Sequence, residues 1–395
     1  MTGRKLPIAL TLALALLAGA CGDDTADTTA ATQAPQTTQA ATTTAAPTTT
    51  EADTSGIGAD GSGLKVGVIF DGPLLDGGWN ESHSAAIDRV QEAYPGIEVT
   101  RIEGANPGQR AQLALEELAS QGHQLILATG SSHTEDILTI NEDYPDSKFA
   151  TVGGTLLADN LAQYFTAIEE IRFLHGMMAG LLTETNVIGF VSGFPIPIEV
   201  RTLNAVALGV EAVNPDARME VLWVNSWYDP DLEREAARTL FEAGVDVIVS
   251  DMSSPGIPSF ADREGLLFTS YDQDLSDVNP ESWMGGFRIR WDAYYQKAVE
   301  DLIAGVWEPE LYYGGIAEGM LVEATYGPAV TQSVLDAIEE RKQELISGGF
   351  EVFGGPISDN EGVERVAAGE SLGTVEVQGC CDWLVSFLEG ASLPV

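Results

Sequence analysis

From residue 65 onward, short apolar runs alternate with longer stretches in which apolar positions recur at helical spacing. KVGVIF (65–70) reads as a buried strand, and ESHSAAIDRVQEAY (81–94) as an amphipathic helix. EVTRIEG (98–104), QLILATG (124–130) and KFATVGG (148–154) are further strands. NPGQRAQLALEELASQG (106–122) is a helix that Asn106 opens, with Pro107 in its first turn and Gly122 closing it. HTEDILTINEDY (133–144) is another helix. After AQYFTAI (162–168) the alternation begins again. EEIRFLHGMMAGLLTE (169–184), EVRTLNAVALGVEAVNP (199–215) and DPDLEREAARTLFEAG (229–244) are helices, the last with Asp229 as N-cap. VIGFVSG (187–193), EVLWVN (220–225), VDVIVSD (245–251) and LLFTSYD (266–272) are strands.

Strict strand–helix alternation predicts an α/β chain of parallel βαβ units, and the restart after Tyr164 predicts two doubly wound parallel-sheet lobes. The helix YYQKAVEDLIAGVW (294–307) is expected to return to the first lobe, so the chain crosses several times and forms a hinge with a ligand cleft between the lobes. The expected limits are 64–164 plus about 288–315 for lobe one, and 165–287 plus about 316–395 for lobe two.

Two further segments precede the body. Arg4 and Lys5 are followed by LPIALTLALALLAGA (6–20) and Cys21. This is the layout of a secretory signal peptide over 1–21. Its end is similar to a bacterial lipobox, with Ala18 where leucine is usual. Lipidation of Cys21 and ordinary cleavage near Ala20 are the two readings, and lipidation gives a lone cysteine there a purpose. Residues 22–63 are rich in Thr, Ala, Gln, Asp and Pro and contain no aromatic residue. Such a stretch buries too little apolar surface to offset its ordering entropy, and is expected to be a flexible tether.

With 19 Lys and Arg against 60 Asp and Glu, the formal charge is −41. No basic cluster interrupts this acidity, which excludes nucleic acid as a partner. Beyond Cys21 the cysteines are Cys380 and Cys381. They are expected to be buried thiols, with a vicinal disulfide as the alternative in an oxidising compartment.

Ligands of doubly wound sheets bind outside the carboxyl ends of the strands. Those ends read DGPLLDGGWNESH (71–83), ATGSSH (128–133), SGFPIP (192–197), NSWYDP (225–230), SDMSSPG (250–256) and SYDQD (270–274). Candidate ligand contacts are therefore Asp71, Trp79, Asn80, His83, Ser131, Ser132, Phe194, Trp227, Asp251 and Asp272. Aromatic rings beside amide and carboxyl groups suit a flat, hydrogen-bonding ligand. Nucleophile elbows, Walker loops, dinucleotide fingerprints and zincin motifs are missing from the sequence, and His83, His123, His133 and His175 do not have metal spacing. No cofactor and no metal are implied.

KVGVIFDGPLLDGGWNESH, FLHGMMAGLLTETNVIGFVSGFPIP, AVNPDARMEVLWVNSWYDP, EAGVDVIVSD and YDQD occur in an order that resembles the basic membrane protein family of ABC-transporter substrate-binding lipoproteins. The resemblance runs from about Leu64 to Pro356. It implies a type I periplasmic-binding-protein fold, a purine nucleoside or related purine as ligand, and a membrane permease as partner. It also implies that Trp79 stacks on the ligand, that Asn80 and Asp71 lie beside it, that Phe194 forms the opposite wall and that Asp272 faces a sugar. FRIRWDAYY (287–295) departs from the nucleoside binders, with Arg290 and Trp291 in the region where those have a lysine. Trp291 joins the candidates, and the variant is closer to a free nucleobase such as adenine, which leaves base versus nucleoside open. The expected chain is exported and held by lipid at the outer face of the cell membrane. The alternatives are a ligand-sensing subunit for a membrane receptor and a nucleoside-processing enzyme.

Overall fold

The computed structural model describes residues 56–75 and 78–393, with only the backbone of Ser131. Cys21, the predicted signal peptide, the tether up to residue 55, and Asp76 and Gly77 lie outside the described residues. In chain order the first lobe contains β1 (Lys65–Ile69), α1 (Trp79–Ala93), β2 (Glu98–Ile102), α2 (Gln109–Ser120), β3 (Leu125–Ala128), α3 (Thr134–Leu138), β4 (Lys148–Val152) and β5 (Leu161–Thr166). The second continues with α4 (Ile168–Leu182), β6 (Val187–Ser192), α5 (Pro197–Val213), β7 (Arg218–Trp223), α6 (Pro230–Glu242), β8 (Val247–Ser250), α7 (Gly256–Glu264), β9 (Leu267–Thr269) and β10 (Trp283–Gly285). Then come β11 (Phe287–Ile289), α8 (Asp292–Ala304), β12 (Leu311–Gly314), β13 (Leu321–Glu323), α9 (Gln332–Ser347), β14 (Ile357–Ser358), β15 (Glu364–Val366) and α10 (Thr374–Gly379).

Two parallel sheets follow, ordered β12-β5-β4-β3-β1-β2 and β10-β9-β8-β6-β7. Near-continuous burial of β1, β3, β4 and β6 is what a sheet covered on both faces requires. The chain passes between the sheets after β5, around β11 and after β12. β11 and β13 pair antiparallel beside the crossings, with Phe287 opposite Glu323. The predicted lobe limit at Tyr164 falls inside β5, which runs to Thr166 and binds β12 along its edge.

In lobe two α4 packs closely on α5. A Cβ at Gly176 would collide with the carbonyl oxygen of Val206, and one at Gly209 with that of Phe173. Glycine at both positions lets the two backbones touch and brings the first turns of α4 and α5 to the carboxyl end of the sheet.

Three predictions change in detail. The helix expected over 133–144 is only α3, flanked by short 3-10 turns at Ser131–His133 and Asn141–Asp143. Asn160 explains the break: its amide donates to the carbonyls of Asn141, Tyr144 and Ser147, so they need no helix to be satisfied. α2 begins at Gln109, after Gly108 at φ 99°, whose N–H donates to Asp136 at 2.8 Å. The end of the predicted tether is folded: Ile57 packs on the core, and the carbonyl of Asp60 accepts from Gly96 N–H at 2.9 Å. Asp229 caps α6 as expected, accepting from the N–H groups of Asp231 and Leu232.

The sulfur atoms of Cys380 and Cys381 lie in contact, as in the vicinal disulfide that is the alternative to the expected pair of thiols. Both are buried in the core cluster that the C-terminal segment shares with α5. Cys381 N–H donates to Pro197 O at 3.1 Å, Arg201 to Val377 O at 2.9 Å, and Asn204 bonds both Trp383 O and Val385 N–H. The segment thereby braces the helix that leads out of the SGFPIP loop.

Candidate ligand-binding cleft

Trp79 is the first residue of α1, directly after Gly78, and its indole N–H donates to Thr129 O at the end of β3 at 2.7 Å. His83 lies one turn later on the same face, its ring centroid 4.8 Å from that of Trp79. Trp291, at the start of α8, completes the group: 5.2 Å from Trp79 edge-on, and 4.3 Å from His83 with planes 16° apart. Both His83 and Trp291 are fully buried, whereas Trp79 is half-buried.

Behind these rings runs a hydrogen-bond chain. His83 Nδ1 meets Tyr295 OH at 2.6 Å, Tyr295 OH meets Tyr164 OH at 2.9 Å, and Tyr164 OH donates to Ala128 O at 3.4 Å. Each phenol has one proton. If Tyr164 gives its proton to Ala128 O, Tyr295 must donate to Tyr164 and His83 Nδ1–H to Tyr295. That order leaves His83 Nε2 as an acceptor. The opposite order, Tyr164 to Tyr295 to His83 Nδ1, satisfies the two shorter contacts and leaves Nε2–H as a donor, so the tautomer sets which role Nε2 offers a ligand. Burial holds the imidazole well below its ordinary pKa and therefore neutral. Among the described residues, Nε2 of His83 and Nε1 of Trp291 have no hydrogen-bond partner.

At the end of β1, Asp71 lies 3.2 Å from His133 Nε2 and close against Gly130. Burial raises its pKa, and the charge of His133 acts in the opposite sense. Asn80 is buried beside Gly72. Ser132 is exposed on the 3-10 turn after β3. Ser131 contributes a backbone position only.

The second wall comes from lobe two. Phe194 and Trp227 meet edge-to-face at 5.1 Å, and Trp227 is 52% exposed. Asp251 does not face open space: it is ion-paired with Arg172 of α4, and both side chains are fully buried. Asp272 adopts a left-handed backbone conformation, φ 48°, which Asp tolerates better than most residues. Its carboxylate accepts from Ile289 N–H at 2.8 Å and from the hydroxyl of Ser82 on α1. Asp272 thus joins the end of β9, the second crossing and the cleft helix of lobe one. Burial pushes its pKa up to about 6, against hydrogen bonds and Arg288 and Arg89, which lower it.

The structure therefore gathers Trp79, His83 and Trp291 in one place, with Asn80 buried beside Gly72. Phe194 and Trp227 form a separate pair, and Asp251 and Asp272 are engaged within and between lobes. Arg290, the departure noted in the sequence, forks onto Asp292 at 2.9 and 2.7 Å, and Arg89 meets the same carboxylate at 2.8 Å. Sequence reading missed Tyr164, Arg172, Glu199 and Tyr295. A signal existed for Arg172: one arginine, three residues before a histidine, in the otherwise apolar IRFLHGMMAGLL of a helix.

Comparisons with known proteins agree with this architecture. Residues 64–350 match the family described as ABC transporter substrate-binding protein PnrA-like. A putative ABC transporter glucose-binding protein of Haloferax volcanii is 32% identical over 306 residues, 78% of each chain. A purine-binding protein of Brucella abortus is 30% identical over 308 residues, covering 78% of this chain and 88% of the relative. Among solved structures, a solute-binding protein from Conexibacter woesei superposes with TM-score 0.62 at 22% identity, over 73% of this chain and 98% of that one. One from Aeropyrum pernix also gives 0.62, at 20% identity, over 73% and 92%. These place the fold among type I periplasmic-binding proteins. The chain belongs to the PnrA-like family of ABC transporter substrate-binding proteins.

Proposed function

We propose that the chain is the lipid-anchored binding component of an importer and captures a purine, as free base or nucleoside, between its two lobes. One observation carries the purine: Trp79, His83 and Trp291 cluster at the start of α1, with a ring nitrogen of His83 and the indole N–H of Trp291 unpartnered among the described residues. A purine has a π-face for an indole and an edge on which donors and acceptors alternate. Each buried polar atom left unmatched costs about 1–3 kcal/mol, so a ligand that satisfies both gains from the match. The purine-binding relative supports the same reading.

Glucose is the second reading, since the Haloferax relative is described as glucose-binding. Asp71 and Asp272 would suit sugar hydroxyls, and a tryptophan suits a sugar face. Against it stands the engagement of one Asp272 oxygen by Ile289 N–H, which leaves only the other oxygen, unpartnered among the described residues, for a hydroxyl. Denaturing protein purified from its own cells and identifying the released molecule by mass spectrometry decides between them. A purine supports the proposal, and a hexose overturns it. The anchor belongs to the same proposal and rests on Cys21 following an apolar export segment.

A further inference from the structure

Below the second wall of the cleft, side chains from three segments meet without solvent. Glu199, in the first turn of α5, accepts the hydroxyl of Ser192 at the end of β6 and faces Asp251 after β8. Asp251 pairs with Arg172 of α4, whose guanidinium also donates to Ser250 O at 2.7 Å and to His175 Nδ1 at 3.0 Å. Two carboxyl groups thus share one guanidinium in a site where neither Arg172 nor Asp251 has any exposed surface.

An uncompensated buried charge is costly, and such groups take up a proton instead. The neighbours cannot supply the missing positive charge. His175 is held neutral by its own burial and by Arg172. Tyr271 is a buried phenol whose pKa is raised, by burial first and then by Glu199, Asp251 and Asp272. Asp272 adds negative potential rather than relieving it. One proton is needed, and the contacts place it on Glu199, because Asp251 is the carboxylate that holds the arginine. Burial and then the charge of Asp251 raise Glu199 well above the ordinary carboxylate range.

We propose that Glu199 is a positioning residue, a neutral carboxylic acid whose proton, donated to Asp251, keeps the lobe-two cleft loops in their ligand-binding arrangement. The group ties together the ends of β6 and β8 and the starts of α4 and α5. Arg172 extends it by lying over Tyr271 at 5.3 Å and Phe287 at 5.0 Å, which adds the end of β9 and the second crossing. Loss of the proton would set two carboxylates against each other beneath the loop that carries Phe194. The proposal rests on the reading of the cleft as the ligand site.

The test uses the mature protein, Glu199→Gln and Glu199→Ala, with adenine as probe. An infrared spectrum should show a protonated carboxyl band at pH 7 that is missing from Glu199→Gln. Adenine affinity of the wild type should fall about tenfold per pH unit once that band disappears, as one linked proton requires. Glu199→Gln, which donates as the acid does, should hold its affinity across the same range, and Glu199→Ala should be weak throughout. Absence of the band, or parallel pH profiles for wild type and Glu199→Gln, would overturn the proposal. If adenine binds to no form, the purine reading fails by itself and melting curves decide here. Folding then takes up a proton at Glu199, so wild-type stability should decline relative to Glu199→Gln as pH rises from about 4.5. Equal slopes would overturn the proposal.

Discussion

The imidazole of His83 lies flat on the indole of Trp291, centroids 4.3 Å apart and planes within 16°. One residue belongs to the first helix of lobe one and the other precedes the helix that returns to that lobe after the second crossing. Their stacking fixes α1 against α8, so cleft wall and crossing are one piece of packing.

Trp291→Ala should therefore be a stability mutant. A fully buried tryptophan truncated to alanine costs about 3–5 kcal/mol. Denaturant unfolding checks this, and a loss below about 1 kcal/mol would mean that α8 does not depend on the stack.

Trp79→Ala should lose affinity with little loss of stability, whereas Trp291→Ala should lose both. The ring is half-buried at the cleft, and its N–H holds Thr129 O at 2.7 Å. The lost hydrogen bond should cost about 1 kcal/mol of stability. Purine affinity should fall by about 1–3 kcal/mol, or about five- to 150-fold, as expected of base–aromatic stacking. Unchanged affinity with a large loss of stability would make Trp79 a packing residue.

The architecture was legible because βαβ units carry their periodicity in short windows, and the strand-end loops follow from it. Trp79 and His83 stood out as polar-edged rings at such ends, whereas Trp291 was singled out only by its departure from the family that the sequence resembles. The partnerships did not: nothing local links Asp251 to Arg172, or His83 to Tyr295, because each contact joins segments far apart in the chain. The broken helix after residue 138 was hidden for the same reason, since Asn160 supplies its hydrogen bonds from a distance. The C-terminal segment was unread because its short strands carry too few residues for a period.

Asp272 makes the fold sensitive to pH. Its folded pKa, near 6, lies above the ordinary aspartate value, so the folded chain holds a proton that the unfolded chain has lost. The group's contribution to stability is then full below about pH 4 and is lost as pH rises through 6. Asp272→Asn keeps an acceptor for Ile289 N–H and should remove that part of the slope, up to about 1.4 kcal/mol per pH unit. Melting curves from pH 4 to 8 for both proteins check it, and superimposable slopes would show that Asp272 is ionised throughout.

Cys21→Ala should release the protein from the membrane fraction and abolish incorporation of labelled fatty acid. A variant still labelled and membrane-bound would remove the lipid anchor from the account.

The central claim is that the cleft takes a purine. Titration calorimetry of the mature protein with adenine, adenosine and glucose tests it most directly. Saturable binding of adenine or adenosine, weakened in Trp79→Ala, with no heat from glucose, is the predicted result. Saturable glucose binding with neither purine bound would contradict it.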